Sequence, residues 1–363
     1  MSHSPSQAQA STAPPITAKA NETARDTAIA AFLSASGWDG ALRRPLAGDA
    51  SNRRYERLHD PKRGAAVLMD APPDRGEDVR PFVQIGAHLT GLGLSAPRVI
   101  AADETTGLLL LEDLGDDLFA RVLTRDPGAE PALYEAATDV LIRLAQSAPP
   151  VGVAEYDAAH MGEAASLAIS WYRKALSGDA PADLEQEFQA EVQAICQAHC
   201  GGPRSLALRD FHAENLIWLP DRAGQARVGL LDFQDATTVH PAYDLVSLLE
   251  DARRDVPEAL SDAMTQRFID ATGYDAADFL RARATLSAQR NLRILGVFAR
   301  LGLRDGKPHY LAFVPRVWNL LQRDLRHPDL APLRASVTRH LPEPTASNLE
   351  GLHARCQTAQ TVS

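Results

Sequence analysis

Two polar segments of this sequence each adjoin a short apolar run and carry side chains that suit chemistry. The first segment, LRDFHAENLIW, presents Asp210 and, with four residues between them, Asn215. The second, VGLLDFQD, places Asp232 directly after a strand-like apolar run. Two carboxylates and a carboxamide thus stand at the ends of predicted strands, where a rigid scaffold commonly presents functional groups.

These residue types suit phosphoryl transfer from Mg²⁺-bound ATP. In that reaction one carboxylate accepts the proton of the attacking hydroxyl, and oxygen ligands hold the magnesium ion, a hard cation. Asp210 is the predicted base, and Asn215 and Asp232 are the predicted metal ligands. Any one of them alone is equally well explained as a turn or capping residue, so the inference depends on their combined spacing.

The predicted secondary structure of the chain that positions these residues changes near residue 115. Upstream, a first helix starts at a capping box formed by Thr23 and Asp26 and ends near Gly37, and a second helix is predicted over residues 78–92. Strand-like runs fill the rest of this part, at residues 42–46, 53–58, 65–69, 98–101 and 108–111.

Downstream of residue 115, helical patterns dominate, and β-type runs interrupt them only at residues 205–208, 216–219 and 227–231. The sequence therefore predicts an α+β protein with a small β-rich N-terminal lobe and a larger, mostly α-helical C-terminal lobe. The predicted organisation is a disordered tail at 1–20, a nucleotide-binding lobe at 21–114, a catalytic and substrate lobe at 115–345 and a flexible tail at 346–363.

Composition excludes several classes of protein. The chain has 363 residues, of which 45% are apolar and 23% charged, so a fibrous or wholly disordered protein is excluded. No run approaches the roughly 20 apolar residues that cross a bilayer. The net charge of −10 argues against nucleic acid as the main partner.

The three cysteines are too few for a disulfide framework, which predicts a reducing, cytoplasmic setting. Cys196, His199 and Cys200 share one face of a predicted helix. We interpret this face as half-buried rather than metal-binding, because no second ligand pair with zinc-like spacing follows it.

The two chemical segments resemble those of the aminoglycoside phosphotransferase and choline kinase group, which has a protein-kinase-like bilobal fold. The pattern of that group is His-Gly-Asp-x-His-x-x-Asn, then Ile-Asp-Phe. This sequence has Leu and Arg in the first two positions and retains the polar residues after them. The resemblance implies that Asp210 is the base, that Asn215 and Asp232 bind Mg²⁺, and that Asp244, in a later Tyr-Asp-Leu motif, orders the catalytic loop.

The resemblance extends into the first lobe at the segment GDASNRRY, which lies where the group places its phosphate-covering hairpin. Ser51, Asn52, Arg53 and Arg54 are the implied contacts to the ATP phosphates. Backbone N–H groups of a small-residue turn can meet phosphate oxygens, and arginine adds charge. An ordinary hairpin with two solvated arginines is the alternative.

The segment LEDLG resembles the hinge of these kinases, where backbone groups of Glu112 and Leu114 would bond adenine. Kinases of this fold usually carry a cation on the third strand to grip the phosphates. Met69 is expected in that position here, so another group must neutralise the phosphates, and Arg53, Arg54 and Mg²⁺ are the candidates.

A set of motifs resembles more narrowly the bacterial sugar kinases of cell-wall recycling, which phosphorylate the anomeric hydroxyl of N-acetylmuramate and N-acetylglucosamine. The set comprises GDAS-x-RRY, MDAPP, RDFH, DFQDA and YDLVSLL. The resemblance implies an α-1-phosphate product in peptidoglycan recycling. Composition and spacing alone reach only ATP-dependent phosphorylation of a hydroxyl.

Candidate acceptor contacts lie in the second lobe. N-acetylmuramate carries a carboxylate that a cation would bind, and Arg209 and Arg290 are the candidates. The alternative for Arg290 is a surface arginine on a long helix. His212, Gln234 and Asp235 are candidate partners for sugar hydroxyls, and loop bracing is the alternative for His212.

Two other functions remain open at this stage. In the first of them, the protein is a kinase whose acceptor is an aminoglycoside, a choline-like molecule or another alcohol. In the second, prompted by Met69, the protein is a non-enzymatic ATP-binding regulator. We expect a monomer that binds ATP and a small amino sugar, and neither nucleic acid nor a membrane.

Overall fold

The computed structural model describes residues 16–46 and 52–361, and the side chains of residues 23–46 and 52–356. The strands are β1 Leu42–Leu46, β2 Arg54–Asp60, β3 Gly64–Asp70, β4 Val99–Asp103, β5 Leu108–Glu112, β6 Ser205–Ala207, β7 Leu216–Trp218, β8 Val228–Leu230 and β9 Thr237–Val239. The helices are α1 Ile16–Ala35, α2 Arg80–Gly91, α3 Phe119–Arg125, α4 Glu130–Ala145, α5 Ala158–Leu167, α6 Lys174–Ser177, α7 Ala182–His199, α8 Ala242–Leu249, α9 Glu258–Thr272, α10 Ala276–Leu303, α11 Val314–Asp324, α12 Ala331–His340 and α13 Ala346–Thr361. Within this described part of the chain, no helix is both long and apolar enough to cross a membrane.

The chain packs as two units. The first takes in the described residues up to Gln84 together with Pro97–Asp113, and the second takes in Ile85–Ala96 and the chain from Leu114 onward. The sequence places the segment 85–96 in the first lobe, whereas here it packs with the second unit. Ser95 explains this, because its carbonyl accepts the Leu230 N–H at 2.8 Å and its hydroxyl donates to the Ala226 carbonyl at 2.6 Å.

The first unit is built on an antiparallel sheet in the order β1-β2-β3-β5-β4. Because successive strand residues face opposite sides, alternate apolar residues of its central strands share one face. Helix α1 packs on that face through apolar residues at helical spacing. This core consists of Ile29, Phe32, Leu33 and Trp38 with Leu58, Ala66, Leu68, Leu108 and Leu110.

The second unit is mostly helical and surrounds the 28-residue helix α10. It also holds two small antiparallel ribbons, β6 with β9 and β7 with β8. The predicted α+β class is therefore confirmed. Strand β9 is missing from the sequence prediction, because its residues Thr237, Thr238 and Val239 have too little apolar character to indicate a strand.

Both predicted tails are shorter in the structure. Helix α1 begins at Ile16, inside the predicted tail 1–20, and α13 occupies most of the predicted flexible tail 346–363. Leu352 and Cys356 explain the second difference, because they lie four residues apart on α13 and both are buried. Residues 1–15, which belong to the predicted N-terminal tail, lie outside the described residues.

Candidate active site

The loop between β6 and β7 carries Asp210 and Asn215. The amide nitrogen of the Asn215 side chain donates to the carbonyl of Asp210 at 2.9 Å, and the Asn215 backbone N–H donates to the carbonyl of His212 at 2.8 Å. These bonds close the loop upon itself. As a result, the predicted base and the predicted amide ligand are held beside each other by the loop's own backbone.

Asp232 follows β8, and the pairing of β7 with β8 places it beside Asn215. The Leu231 N–H donates to the Asn215 carbonyl at 3.0 Å, and the Asn215 amide nitrogen lies 3.5 Å from Asp232 Oδ2. Asp232 has a left-handed backbone with φ of 55°. The structure thus brings together Asp210, Asn215 and Asp232, which are separated by as many as 22 positions in the sequence.

The donor set at this place fits a magnesium ion. The nitrogen of the Asn215 amide is used inside the protein, which leaves the amide oxygen as the atom that a metal requires. Asp232 adds carboxylate oxygens, one of which accepts from Gln234 Nε2 at 2.8 Å. Oxygen-only ligands and few protein groups are typical of Mg²⁺ sites, where water and phosphate complete the shell.

The residue before the base, Arg209, has a left-handed backbone with φ of 71°. This conformation costs a non-glycine residue about 1–2 kcal/mol, a cost that the glycine of the related pattern avoids. Asp244 on α8 accepts the N–H groups of Leu208 and Arg209 at 2.5 and 3.0 Å, and the Ser247 hydroxyl donates to the Arg209 carbonyl at 3.0 Å. Helix α8 therefore holds this turn from one side.

Asp244 is fully enclosed, and burial raises its pKa to about 7, while the two N–H donors act in the opposite direction. A buried carboxylate that accepts backbone N–H groups is a positioning device. The contact agrees with the ordering role that the resemblance implies for Asp244.

Arg290 lies on α10 and is only 5% exposed, so it is not a surface arginine. One terminal nitrogen of its guanidinium donates to the Ser247 hydroxyl at 2.9 Å, and the other lies 3.4 Å from the Glu250 carbonyl. Both terminal nitrogens of Arg290 are thus engaged with α8 and the residue that follows it. Through Ser247 this arginine braces the Arg209 turn.

His212 is buried inside the same loop, and burial lowers its pKa to about 4, so it is neutral at pH 7. Its Nε2 lies 3.3 Å from a terminal nitrogen of Arg253. Of the other two predicted acceptor residues, Gln234 is buried and bonded to Asp232, whereas Asp235 is exposed.

Sequence reasoning did not single out Tyr156, Tyr243 or Arg293. The Arg209 guanidinium lies over the Tyr156 ring, 5.5 Å from its centroid. Burial acts to lower the pKa of Arg293, but Tyr243, Tyr156 and Asp210 together raise it above its ordinary value. The signal available in the sequence was the spacing of Arg290 and Arg293, three apart on a predicted helix.

The predicted phosphate contacts belong to the first unit. Ser51 lies outside the described residues, and the Asn52 side chain donates to the Arg75 carbonyl at 3.0 Å. Arg53 pairs with Glu77 at 2.7 Å and Arg54 with Asp70 at 2.8 Å, so both guanidinium groups already have carboxylate partners.

Met69 is 1% exposed on β3, opposite Tyr55 on one neighbouring strand and Leu109 on the other. Within the predicted hinge, the Glu112 N–H donates to the Arg98 carbonyl at 2.9 Å, and Leu114 is buried.

The sequence of this chain has counterparts among known proteins. The sequence pattern of the Phosphotransferase enzyme family matches residues 43–284, more than half of the chain. The chain belongs to this phosphotransferase family. The loop that carries Asp210 and Asn215 and the segment that carries Asp232 both fall inside the matched region.

Two curated relatives extend the match over nearly the whole chain. An N-acetylmuramate/N-acetylglucosamine kinase of Caulobacter vibrioides is 40% identical over 365 residues, which cover 88% of this chain and 98% of the relative. A kinase of the same name from Pseudomonas aeruginosa is 36% identical over 324 residues, covering 85% and 92%.

Solved structures of the phosphotransferase group show the same fold. A choline/ethanolamine kinase family protein from Mesorhizobium loti superposes with a TM-score of 0.56 at 17% identity, covering 92% of this chain and 99% of that one. A choline kinase from Streptococcus pneumoniae gives a TM-score of 0.55 at 14% identity, covering 85% and 99%. The predicted protein-kinase-like fold is thereby confirmed, and the protein is a kinase-type phosphotransferase.

Proposed function

We propose that this phosphotransferase uses ATP to phosphorylate the anomeric hydroxyl of N-acetylmuramate and N-acetylglucosamine, a cytoplasmic step of peptidoglycan recycling. The observation that carries the proposal is the 40% identity to a curated kinase of that name over 98% of its length. The convergence of Asp210, Asn215 and Asp232 supplies the chemistry that such a kinase needs.

Asp210 is the proposed general base. The anomeric hydroxyl is more acidic than an ordinary alcohol, so a carboxylate suffices to accept its proton. As the sugar oxygen bonds to the γ-phosphorus, the bond from that phosphorus to the bridging oxygen of ATP breaks and ADP departs. The proton passes from the hydroxyl to Asp210, and the sugar 1-phosphate forms.

Asn215 and Asp232 are the proposed ligands of Mg²⁺. When bound, the ion neutralises phosphate charge as the bond to the leaving group breaks. The role of the chain is to hold these two oxygen-bearing groups against the loop of Asp210, which the β7–β8 ribbon does. Gln234 would orient Asp232 through its hydrogen bond to that carboxylate.

For the nucleotide, Ser51, Asn52, Arg53 and Arg54 are the proposed phosphate contacts. Because Arg53 and Arg54 are paired with Glu77 and Asp70, phosphate binding requires them to share or exchange those carboxylates.

Backbone groups of Glu112 and Leu114 are the proposed adenine contacts. With Met69 on the third strand, Mg²⁺ carries much of the charge neutralisation in this proposal.

For the acceptor, Arg209, His212, Gln234 and Asp235 are the proposed side chains. Arg290 contributes through Ser247, since its terminal nitrogens are occupied inside the protein. A buried arginine of this kind preserves the Arg209 turn rather than meeting the sugar.

The experiment measures ADP release by the purified protein with Mg-ATP over a panel of N-acetylmuramate, N-acetylglucosamine, kanamycin and choline. We expect turnover with both amino sugars and none with kanamycin or choline, with the product identified as the 1-phosphate by ³¹P NMR. Turnover with kanamycin or choline alone contradicts the proposed acceptor. ATP binding without turnover on any acceptor identifies a regulator instead.

A further inference from the structure

Arg209 and Arg293 are arginines with no carboxylate within ion-pair distance in the described part of the chain. Most neighbouring arginines differ in this respect. Arg254 pairs with Glu130 and Arg316 with Asp255, each at 2.6 Å. Asp210 acts on Arg293 from beyond ion-pair distance, so two cations face one carboxylate and leave positive charge for a ligand.

Tyr156 connects the two arginines. The Arg209 guanidinium lies over its ring at 5.5 Å, and Arg293 lies one helical turn after Gln289, the α10 residue whose side chain contacts this tyrosine. The Tyr156 hydroxyl accepts a bond from Gln289 at 3.1 Å, which fixes the ring. An anion bound beside this ring would be attracted by both guanidinium groups.

The conformation of Arg209 indicates that this position requires the arginine side chain. Its left-handed backbone is strained, and its buried Nε has no hydrogen-bond partner among the described residues. Glycine would adopt this backbone without strain. Strained residues of this type cluster at ligand sites, where the surrounding structure holds them, and here Asp244 and Ser247 do so.

The other two arginines of this region are poorer candidates for a ligand. Both terminal nitrogens of Arg290 are engaged with Ser247 and the Glu250 carbonyl. Arg253 lies 4.0 Å from the buried carboxylate of Asp251, which offsets its charge and would repel an anion.

We infer that Arg209, over the Tyr156 ring, and Arg293, on the face of α10 that contacts Tyr156, bind the carboxylate of an acidic acceptor and set the preference between N-acetylmuramate and N-acetylglucosamine. The inference rests on the proposed function. Both sugars present the same anomeric hydroxyl and N-acetyl group, and the lactyl carboxylate of N-acetylmuramate is the negatively charged group that the other sugar lacks. A guanidinium binds a carboxylate through two parallel hydrogen bonds, which gives direction as well as charge.

The test compares kcat/KM for the two sugars in Arg209→Gly and Arg293→Gln. We expect kcat/KM for N-acetylmuramate to fall at least about tenfold more than kcat/KM for N-acetylglucosamine, because a lost charged contact has that scale. The difference between the two sugars should lie in KM. Arg209→Gly relieves strain, so its thermal midpoint should stay within about 3 °C of the wild type. Arg209→Lys should recover part of the selectivity.

Arg300→Gln is the matched control, because Arg300 also lies on α10, two turns from Arg293, with a buried Nε that has no partner among the described residues. It should retain the wild-type ratio between the two sugars. Equal losses on both sugars in the Arg209 and Arg293 variants would overturn the inference, because the arginines would then act on a group that the sugars share. Wild-type protein that phosphorylates neither sugar contradicts the proposed function itself, which is a separate outcome.

Discussion

At the scale of single residues, Asn215 is the contact between the two acidic groups of the site. Its amide nitrogen meets the carbonyl of Asp210 and the carboxylate of Asp232. All three residue types were identified from the sequence, because the chemistry of phosphoryl transfer prescribes them. The partners of Arg53 and Arg54 were not, since Glu77 and Asp70 lie 24 and 16 positions away and only folding brings them near.

Replacing Asp210 by Asn removes the proton acceptor and leaves the shape of the side chain. We expect kcat to fall about 100-fold or more, the scale of a lost general base, while the affinity for Mg-ATP stays within about threefold. Steady-state kinetics and calorimetric titration of nucleotide measure the two quantities. An unchanged kcat would show that another group takes the proton.

Replacing Asp232 by Ala removes the carboxylate ligand of the proposed magnesium site. We expect the Mg²⁺-dependent part of ATP binding to disappear, because Asn215 alone supplies one neutral oxygen. Titrations of ATP with Mg²⁺ and with EDTA measure that part. If ATP affinity retained its full magnesium dependence, the assignment of Asp232 would be wrong. Asp235→Ala is the control, because Asp235 is an exposed neighbour and its removal shows the effect of losing a nearby charge alone.

At the scale of elements, α10 carries Arg290 and Arg293 and packs closely on α5. A Cβ atom added at Gly296 would overlap the carbonyl of Leu167, immediately before the π-helical turn Ala168–Arg173. The helix pattern of the sequence predicts α10, but it does not reveal which helix it meets or that Gly296 is the point of contact. That information depends on the packing of two distant segments.

Gly296→Ala should lower the free energy of unfolding by about 2–3 kcal/mol, because two helix backbones must separate to admit a methyl group. Urea unfolding monitored by circular dichroism gives the value. Gly302→Ala, on the same helix, serves as the control, since its added Cβ would lie 3.2 Å from the Leu311 side chain and 3.3 Å from Cys356 Sγ. Equal costs for the two variants would contradict the close approach at Gly296.

At the scale of the whole molecule, buried titratable groups couple stability to pH. Burial lowers the pKa of His212 and of His240 to about 4, below the value of about 6.5 in an unfolded chain. Between pH 6.5 and 4 the unfolded chain therefore binds more protons, and stability falls as the pH falls. Asp244 acts in the opposite sense, since its raised pKa lowers stability as the pH rises from about 4 to 7.

His240→Asn removes one of these contributions at a position outside the loop between β6 and β7. We expect the loss of unfolding free energy between pH 7.5 and pH 5 to be smaller in the variant by about 1–2 kcal/mol. Asparagine can still accept the Ala242 N–H that His240 Nδ1 accepts at 3.2 Å. Urea unfolding at the two pH values measures the difference, and identical losses in the two proteins would show that His240 does not contribute.

The sequence by itself determined the α+β class, the family and the three residues proposed for the chemistry, because these follow from local patterns and from a short motif with fixed spacing. The tertiary structure decided which side chains surround that motif. It assigned residues 85–96 to the second unit, turned the predicted C-terminal tail into α13, buried Arg290 behind Ser247, and brought the Tyr156 ring to the Arg209 guanidinium. The physical reason is that such contacts join segments from 43 to 131 residues apart, and the partner of a side chain depends on how helices pack rather than on its neighbours in sequence.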